Sequence, residues 1–344
     1  MTNPLAGMFN LFDFEEVAKG NMSQAAWEYL ASGAADEITL RWNRESFDRI
    51  MLCPRVLVDT GNIDTSVRLL DQNLDFPVLL APTAFQRLFH PEGEIAVARG
   101  SGAARATYIV SSYSMTPLED IAREATQPLW FQLYIQSDRA FTRDVVQLAE
   151  ALGCRSLCVT VDLPVIGVRN RTDRGGFAAP EHIDVPYMKE GFVGAPVTWD
   201  DIDWIRAQTK LPVILKGILN PSDAEIAARN EISGIIVSNH GARDLDTTPA
   251  TIDALPRIAD VVAGRLPILM DGGIRRGTDV LKALALGAAA VLIGRPYCYG
   301  LAAGGAEGVA LVINILRMEL EIAMALTGCK SIDSIDRTVL WEAA

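Results

Sequence analysis

The stretch Gly234-Ile235-Ile236-Val237-Ser238-Asn239-His240-Gly241-Ala242-Arg243 passes from four apolar residues directly into a base, a glycine and a fixed cation. A buried β-run that ends this way places a proton acceptor and an anion clamp at a strand's C-terminal mouth, where α/β barrels carry their chemistry. His240 is one of three histidines in 344 residues. Read alone, a histidine in a βα turn is more often a satisfied structural residue. Its neighbours favour a site, because Gly241 admits close approach of a ligand or backbone and Arg243 follows three residues on.

Working outward, similar short runs recur between amphipathic stretches of helical period, the pattern of repeated βα units around a parallel sheet. They are Pro77–Ala81, Thr107–Val110, Leu129–Leu133, Ser156–Val161, Pro212–Leu215, Gly234–Val237, Pro267–Met270 and Ala290–Ile293. Eight runs predict an α/β fold of the (β/α)8 TIM-barrel type with a short N-terminal helical extension. Their ends carry groups that a purely structural strand does not need. In order these are Pro82-Thr83-Ala84, Ser111, Gln132 with Tyr134, Thr160 with Asp162, Lys216, Ser238 with His240, Asp271-Gly272-Gly273, and Gly294-Arg295. Such a ring predicts one contiguous polar site at the top of the barrel.

Residues 1–60 read as a helical segment closing one end of the barrel, and 61–344 as the barrel itself. Ser23 is placed to cap a helix over Gln24–Leu30, Ser32-Gly33 to break it, and Asp36 to begin a second helix towards Phe47. Tyr29, on the first of these, is either an interface tyrosine or a residue that reaches the site. The stretch 174–198 loses periodicity and gathers glycine and proline, which reads either as a lid over the site or as a loop without a role.

Composition narrows the partners. With 49% hydrophobic and 22% charged residues the chain buries a large core, and a net charge of −12 opposes binding to nucleic acid or anionic membrane. No stretch is long and apolar enough to predict a membrane span, and no N-terminal signal is apparent. The five cysteines have no paired spacing and read as buried thiols of a reducing, cytoplasmic compartment. His90, His182 and His240 lie far apart without metal-ligand spacing, so no metal site is expected.

The last two βα units carry the strongest signal for a phosphate, in Asp271-Gly272-Gly273-Ile274-Arg275-Arg276-Gly277 and Ile293-Gly294-Arg295-Pro296. Glycine backbones and arginines after strands seven and eight are the recurrent anion solution of barrels. Taken with Ser238–Arg243, these motifs resemble the FMN-dependent α-hydroxy-acid oxidase and dehydrogenase family, which includes glycolate oxidase and lactate oxidase. The similarity continues through Ser32-Gly33-Ala34, Pro54-Arg55, Ala81–Ala84, His90–Glu94, Gln132–Tyr134, Thr160–Asp162 and Leu215–Gly217, nearly the whole chain.

The resemblance implies FMN as cofactor, with its phosphate at Gly294, Arg295, Arg275 and the Asp271-Gly272-Gly273 turn. Its ring and ribityl chain would meet Pro82, Thr83, Ala84, Ser111, Gln132, Thr160, Lys216, Ser238 and Gly241. It implies oxidation of a small L-2-hydroxy acid to the 2-oxo acid, electrons passing to O2, giving H2O2, or to another acceptor. Tyr29, Tyr134, Arg169 and Arg243 would bind substrate, with His240 as base, Asp162 stabilising the imidazolium and Tyr134 at the substrate oxygen. Loss of the α-hydrogen as hydride or as proton would use the same histidine. A homotetramer is implied in the same way.

Two departures stand out. Asp244 occupies a position where most family members carry glutamine, and it is expected to pair with Arg243 or repel a substrate carboxylate, either of which weakens substrate binding, or else to point to solvent. The 174–198 loop is shorter than the lid of many relatives. Phe85 and Tyr113 line the substrate side or pack the core. The alternatives are an FMN-dependent isomerase of the isopentenyl diphosphate type and a flavin-binding protein without turnover.

Overall fold

A computed structural model describes residues 5–177, 184–189 and 196–341. The predicted runs form strands β1 Val78–Leu80, β2 Tyr108–Val110, β3 Leu129–Leu133, β4 Leu157–Thr160, β5 Val213–Ile218, β6 Gly234–Val237, β7 Ile268–Met270 and β8 Ala290–Ile293. They pair in parallel in chain order, and β8 closes onto β1 through Val291 opposite Val78 and Ile293 opposite Leu80. The result is the (β/α)8 barrel.

These strands are largely apolar because both faces are covered, the polar exceptions Gln132, Thr160 and Lys216 lying towards their C-terminal ends. One set of side chains, including Leu79, Ile109, Trp130, Ile214, Ile236 and Leu292, fills the barrel interior. The alternate set, such as Val78, Leu80 and Tyr108, packs beneath the surrounding helices. A hairpin of Val67–Leu69 and Gln72–Leu74, absent from the sequence reading, adds Leu69 and Leu74 to the interior. The buried Trp130 indole donates to Gln72 Oε1 at 3.0 Å, which fixes the hairpin at the N-terminal end of the strands.

Strand β5 runs three residues beyond its predicted end, so Lys216 lies within the strand rather than after it. The register slips between Lys216 and Ile218. Gly217 sits there at φ +110°, and a Cβ on it would fall 2.4 Å from Asp162 Cβ. The bulge thus brings Asp162 against β5.

Helices span Asp13–Asn21, Gln24–Ala31 and Ile38–Arg49 within the first 60 residues. Ser23 caps the second as expected, its hydroxyl accepting from the Ala26 N–H at 3.2 Å. The third begins at Ile38, two residues later than Asp36, because Asp246 accepts from the N–H groups of Ile38 and Thr39 and Glu37 adopts a left-handed conformation. These contacts tie the segment to the loop after β6, at the barrel's C-terminal mouth. The 174–198 loop lies partly outside the described residues. Among its described parts, Phe177 packs on Tyr29 and Thr198 opens the helix Trp199–Arg206. Among the described residues no helix is long and apolar enough to cross a membrane.

Candidate active site

All the predicted site residues except Asp162 and Ser238 line one cavity at the C-terminal ends of the strands. Those two stand directly behind it. Asp162 Oδ1 lies 3.0 Å from His240 Nδ1, and Ser238 Oγ accepts from Lys216 Nζ at 3.0 Å and from the His240 N–H at 3.0 Å.

The turn that carries His240 is strained. His240, Gly241 and Ala242 all have positive φ, +56°, +64° and +61°, which costs energy at the two residues bearing a Cβ. Its support comes from far away in the chain. Asn239 Oδ1 accepts from the Ala242 N–H at 3.0 Å and from Asn43 Nδ2 at 3.0 Å, while Asn239 Nδ2 donates to Asn43 Oδ1 at 2.8 Å. Asn43, on the Ile38–Arg49 helix, went unrecognised in the sequence, where one asparagine on a polar helix carries no signal.

Around the base, charge is closely balanced. Burial pushes the Asp162 carboxyl up, but the His240 imidazole and the Lys216 ammonium outweigh it and hold the group below its usual range. Burial likewise opposes the charge on Lys216, yet the carboxylates of Asp271 and Asp162 raise it overall; Asp271 Oδ2 is 3.4 Å away. Lys216 is therefore a fixed, buried cation. Tyr134 and Tyr29 are raised, chiefly by burial, and remain neutral hydroxyl donors at neutral pH.

Arg243 is held by its surroundings. Its Nη1 donates to the Tyr29 carbonyl at 2.6 Å and the Ser32 carbonyl at 3.1 Å, and its guanidinium lies 4.8 Å from the Tyr29 ring centre. Nη2 is buried without a partner. Burial, then the like charge of Arg169, pulls Arg243 down to about 10, so an incoming anion is favoured there.

Asp244 departs from two of its expected placements. It does not pair with the Arg243 guanidinium and does not face solvent: its side chain is 14% exposed. Instead Oδ1 accepts from Arg169 Nη2 at 3.2 Å and Oδ2 lies 3.2 Å from His240 Nδ1. The Arg169 Nε also donates to the Arg243 carbonyl at 3.0 Å, so the loop after β4 delivers Arg169 onto the loop after β6. Asp162, His240 and Asp244 bring possible ligand atoms within 4.8 Å of one another, but Arg169 and Lys216 beside them already supply compensating positive charge.

Elsewhere the cavity suits a planar polar ring with a phosphate tail. Gln132 is fixed, Oε1 accepting from Ser111 Oγ at 3.2 Å and the Ser112 N–H at 3.1 Å while Nε2 donates to Thr160 Oγ1 at 3.0 Å. Asp271 Oδ1 is buried without a partner, a waiting acceptor for a hydroxyl. Gly273, at φ +80°, packs so tightly on the Asn43 carbonyl that a Cβ would sit 1.8 Å from it. Arg295 opens the helix Arg295–Thr327 and donates to the carbonyls of Leu30, Gly241 and Ser32 at 2.8–3.0 Å. Burial, with the like charge of Arg275, lowers Arg295, and a bound phosphate would relieve both.

The sequence reading missed Phe177, whose ring stacks on Tyr29 at 4.3 Å from within an aperiodic loop. Phe85 and Tyr113 are both buried, with centroids 5.5 Å apart, and Phe85 lies 5.7 Å from Tyr29. Tyr113 itself lines the cavity.

Fold and site together define a parallel-barrel enzyme with a histidine-carboxylate pair at its mouth and a turn of glycines and arginines after the seventh and eighth strands. Residues 18–342 match the family model described as FMN-dependent dehydrogenase. The chain is 44% identical to an L-lactate oxidase of Nostoc sp. over 98% of its length and 99% of the relative's. It is 41% identical to glycolate oxidase 3 of Arabidopsis thaliana, covering 96% of this chain and 95% of that one. A solved mandelate oxidase variant with (S)-mandelic acid superposes with a TM-score of 0.93 at 40% identity, covering 97% of this chain and 99% of that one. The chain belongs to the FMN-dependent dehydrogenase family and is an FMN-dependent oxidoreductase. Neither the isomerase nor the non-catalytic alternative finds support in these relatives.

Proposed function

We propose that this chain oxidises a small L-2-hydroxy acid to its 2-oxo acid, with molecular oxygen as electron acceptor and hydrogen peroxide as product. One observation carries the reading: His240, oriented by Asp162 at 3.0 Å, faces the same cavity as the guanidinium groups of Arg169 and Arg243. FMN, when bound, supplies a two-electron acceptor. Arg169 and Arg243 anchor the substrate carboxylate, the unpartnered Arg243 Nη2 being the readiest donor.

Because Nδ1 of His240 is engaged by carboxylates, Nε2 is the nitrogen left for substrate. It takes one proton from the substrate, the hydroxyl proton if the C2 hydrogen leaves as hydride for the acceptor that FMN would supply, or the C2 proton if the electron pair follows separately; either way two electrons go to that acceptor and the C2–O bond becomes a carbonyl. Asp162 stabilises the resulting imidazolium, and neutral Tyr134 donates to the substrate oxygen. Gln132, Ser111, Thr160 and Ser238 hold the ring-binding face, with Lys216 as the cation that favours electron uptake. Pro82, Thr83, Ala84 and Gly241 shape that face, and Gly272, Gly273, Arg275, Gly294 and Arg295 hold the phosphate. The aromatic cluster of Tyr29, Phe177, Phe85 and Tyr113 supports a small side chain on the acid. In this reading residues 1–60 serve as a helical cover and 61–344 as the catalytic barrel.

The test is anaerobic mixing of the purified yellow protein with L-lactate, glycolate, L-mandelate and a long-chain 2-hydroxy acid, followed by admission of air. Bleaching of the visible flavin band by one acid, with rapid return of colour and peroxide in air, is the expected result. No bleaching by any acid refutes the reading, and bleaching without return of colour refutes oxygen as acceptor.

We further propose a cytoplasmic homotetramer. The free cysteines support the first part, and the exposed apolar residues Met318, Ile322 and Leu326 on the last long helix support self-association. Fractionation of the source cells and sedimentation velocity check the two parts separately.

A further inference from the structure

Among the described residues, Asp244 is the one carboxylate that touches both the proposed substrate anchor and the proposed base. Oδ1 is 3.2 Å from Arg169 Nη2, and Oδ2, buried and without a well-formed hydrogen bond, is 3.2 Å from His240 Nδ1. The charged groups facing it are His240 on its own loop, Asp162 and Arg169 from the chain after β4, and Lys216 on β5. Arg243, its chain neighbour, adds a further positive charge.

A carboxylate seated on the arginine that must accept a substrate carboxylate is an internal competitor for it. The same carboxylate beside the ring nitrogen opposite the reacting one stabilises positive charge on that ring. We propose that Asp244 is a positioning residue shared between these two tasks. In the free enzyme its charge is divided between Arg169 and His240. When a substrate carboxylate takes Arg169, Asp244 loses that partner, and the imidazolium formed at His240, 3.2 Å away, becomes its nearest counterion. Substrate binding thereby strengthens the stabilisation of the protonated base, at a cost in affinity. The inference rests on the 2-hydroxy-acid reading above.

This arrangement predicts opposite effects on binding and chemistry, which a merely structural residue does not give. The contact of the Asp244 main chain with Gly167, where a Cβ would fall 1.9 Å from the Asp244 carbonyl oxygen, is independent of the side chain and survives substitution. Asp244→Asn keeps the shape, and Asp244→Gln provides a second neutral variant.

The experiment uses holoenzyme and whichever of L-lactate, glycolate or L-mandelate reduces the wild-type flavin, with the matching 2-oxo acid as an unreactive ligand. Dissociation constants come from the flavin difference spectrum on adding pyruvate, glyoxylate or benzoylformate. The limiting rate of flavin reduction comes from anaerobic stopped flow. In both variants the 2-oxo acid is expected to bind about five-fold to ten-fold more tightly, while limiting reduction slows by a similar factor. In an Arg169→Ala background, Asp244→Asn is expected to leave binding unchanged, since the contested partner is gone.

Weaker or unchanged binding in both variants overturns the competition, and an unchanged reduction rate overturns the link to the base. Tighter binding that persists in the Arg169→Ala background overturns Arg169 as the contested group. A wild-type flavin that no hydroxy acid reduces refutes the substrate reading instead, and is distinguished by being seen before any variant is made.

Discussion

Replacing Asp162 by asparagine removes the charge that orients and stabilises the protonated base while keeping its shape. The interaction at stake is one hydrogen bond between a carboxylate and a ring that becomes cationic, 3.0 Å long and nearly buried. A bond of that kind contributes about 2 kcal/mol. At about 1.4 kcal/mol per decade of rate, its loss in the transition state alone amounts to roughly 30-fold. Asp244, 3.2 Å from the same nitrogen, remains and offsets part of this, so the expected fall in the limiting rate of flavin reduction is about 5-fold to 30-fold.

The carboxyl of Asp162 is depressed in the folded protein, so it stabilises the fold above its ordinary value, and that contribution is lost as pH falls through the depressed value. Asp162→Asn should therefore lower Tm at neutral pH, and the gap should narrow in strong acid. Anaerobic stopped flow at saturating substrate, with thermal melts at both pH values, tests the two statements together. A reduction rate within about two-fold of wild type refutes the reasoning that Asp162 stabilises the protonated base.

Further outcomes follow from other contacts. Asp244 is raised, chiefly by burial, so its carboxylate costs stability above its folded value; Asp244→Asn should raise Tm at neutral pH, with the advantage vanishing as pH falls below the ordinary aspartate value. Arg169→Lys should raise the KM of the hydroxy acid about ten-fold, because an ammonium lacks the planar two-nitrogen face, and steady-state kinetics would reveal an unchanged KM as the contrary result. Asn43→Ala strips the support from the His240 turn and should cost about 1–3 kcal/mol in urea unfolding, with slower flavin reduction; an unaltered midpoint would show the turn holds itself. Gly273→Ala drives a methyl into the Asn43 carbonyl and should abolish retention of FMN, which the absorbance of the purified protein reports directly.

The sequence of Gly234–Val237 and its seven counterparts was enough to determine the barrel, because a parallel strand covered on both faces is a near-continuous apolar run and that leaves a legible mark. The residues just beyond each run were legible for the same reason, since polar groups ending a buried strand stand out against it. The hairpin at Val67–Leu74 was not, as its short strands carry the exposed Arg68 and Asn73 and one of its key contacts is a buried glutamine. Lys216 was assigned to a strand end because the bulge at Gly217 depends on Asp162, a residue of another strand's loop.

Asp244 shows the limit most clearly. From the sequence it is a carboxylate next to Arg243, and adjacency suggests a partner. Its actual partners, Arg169 and His240, are 75 and four residues away. Successive residues in a tight turn point in different directions, and the left-handed conformation of Ala242 turns Asp244 inward onto a loop from a different βα unit. The amino-acid order by itself determined which chemical groups sit at the mouth of the barrel. Which of them share a charge was decided only when the loops after β4 and β6 met, because electrostatic coupling depends on distance in space and burial, neither of which a linear spacing records.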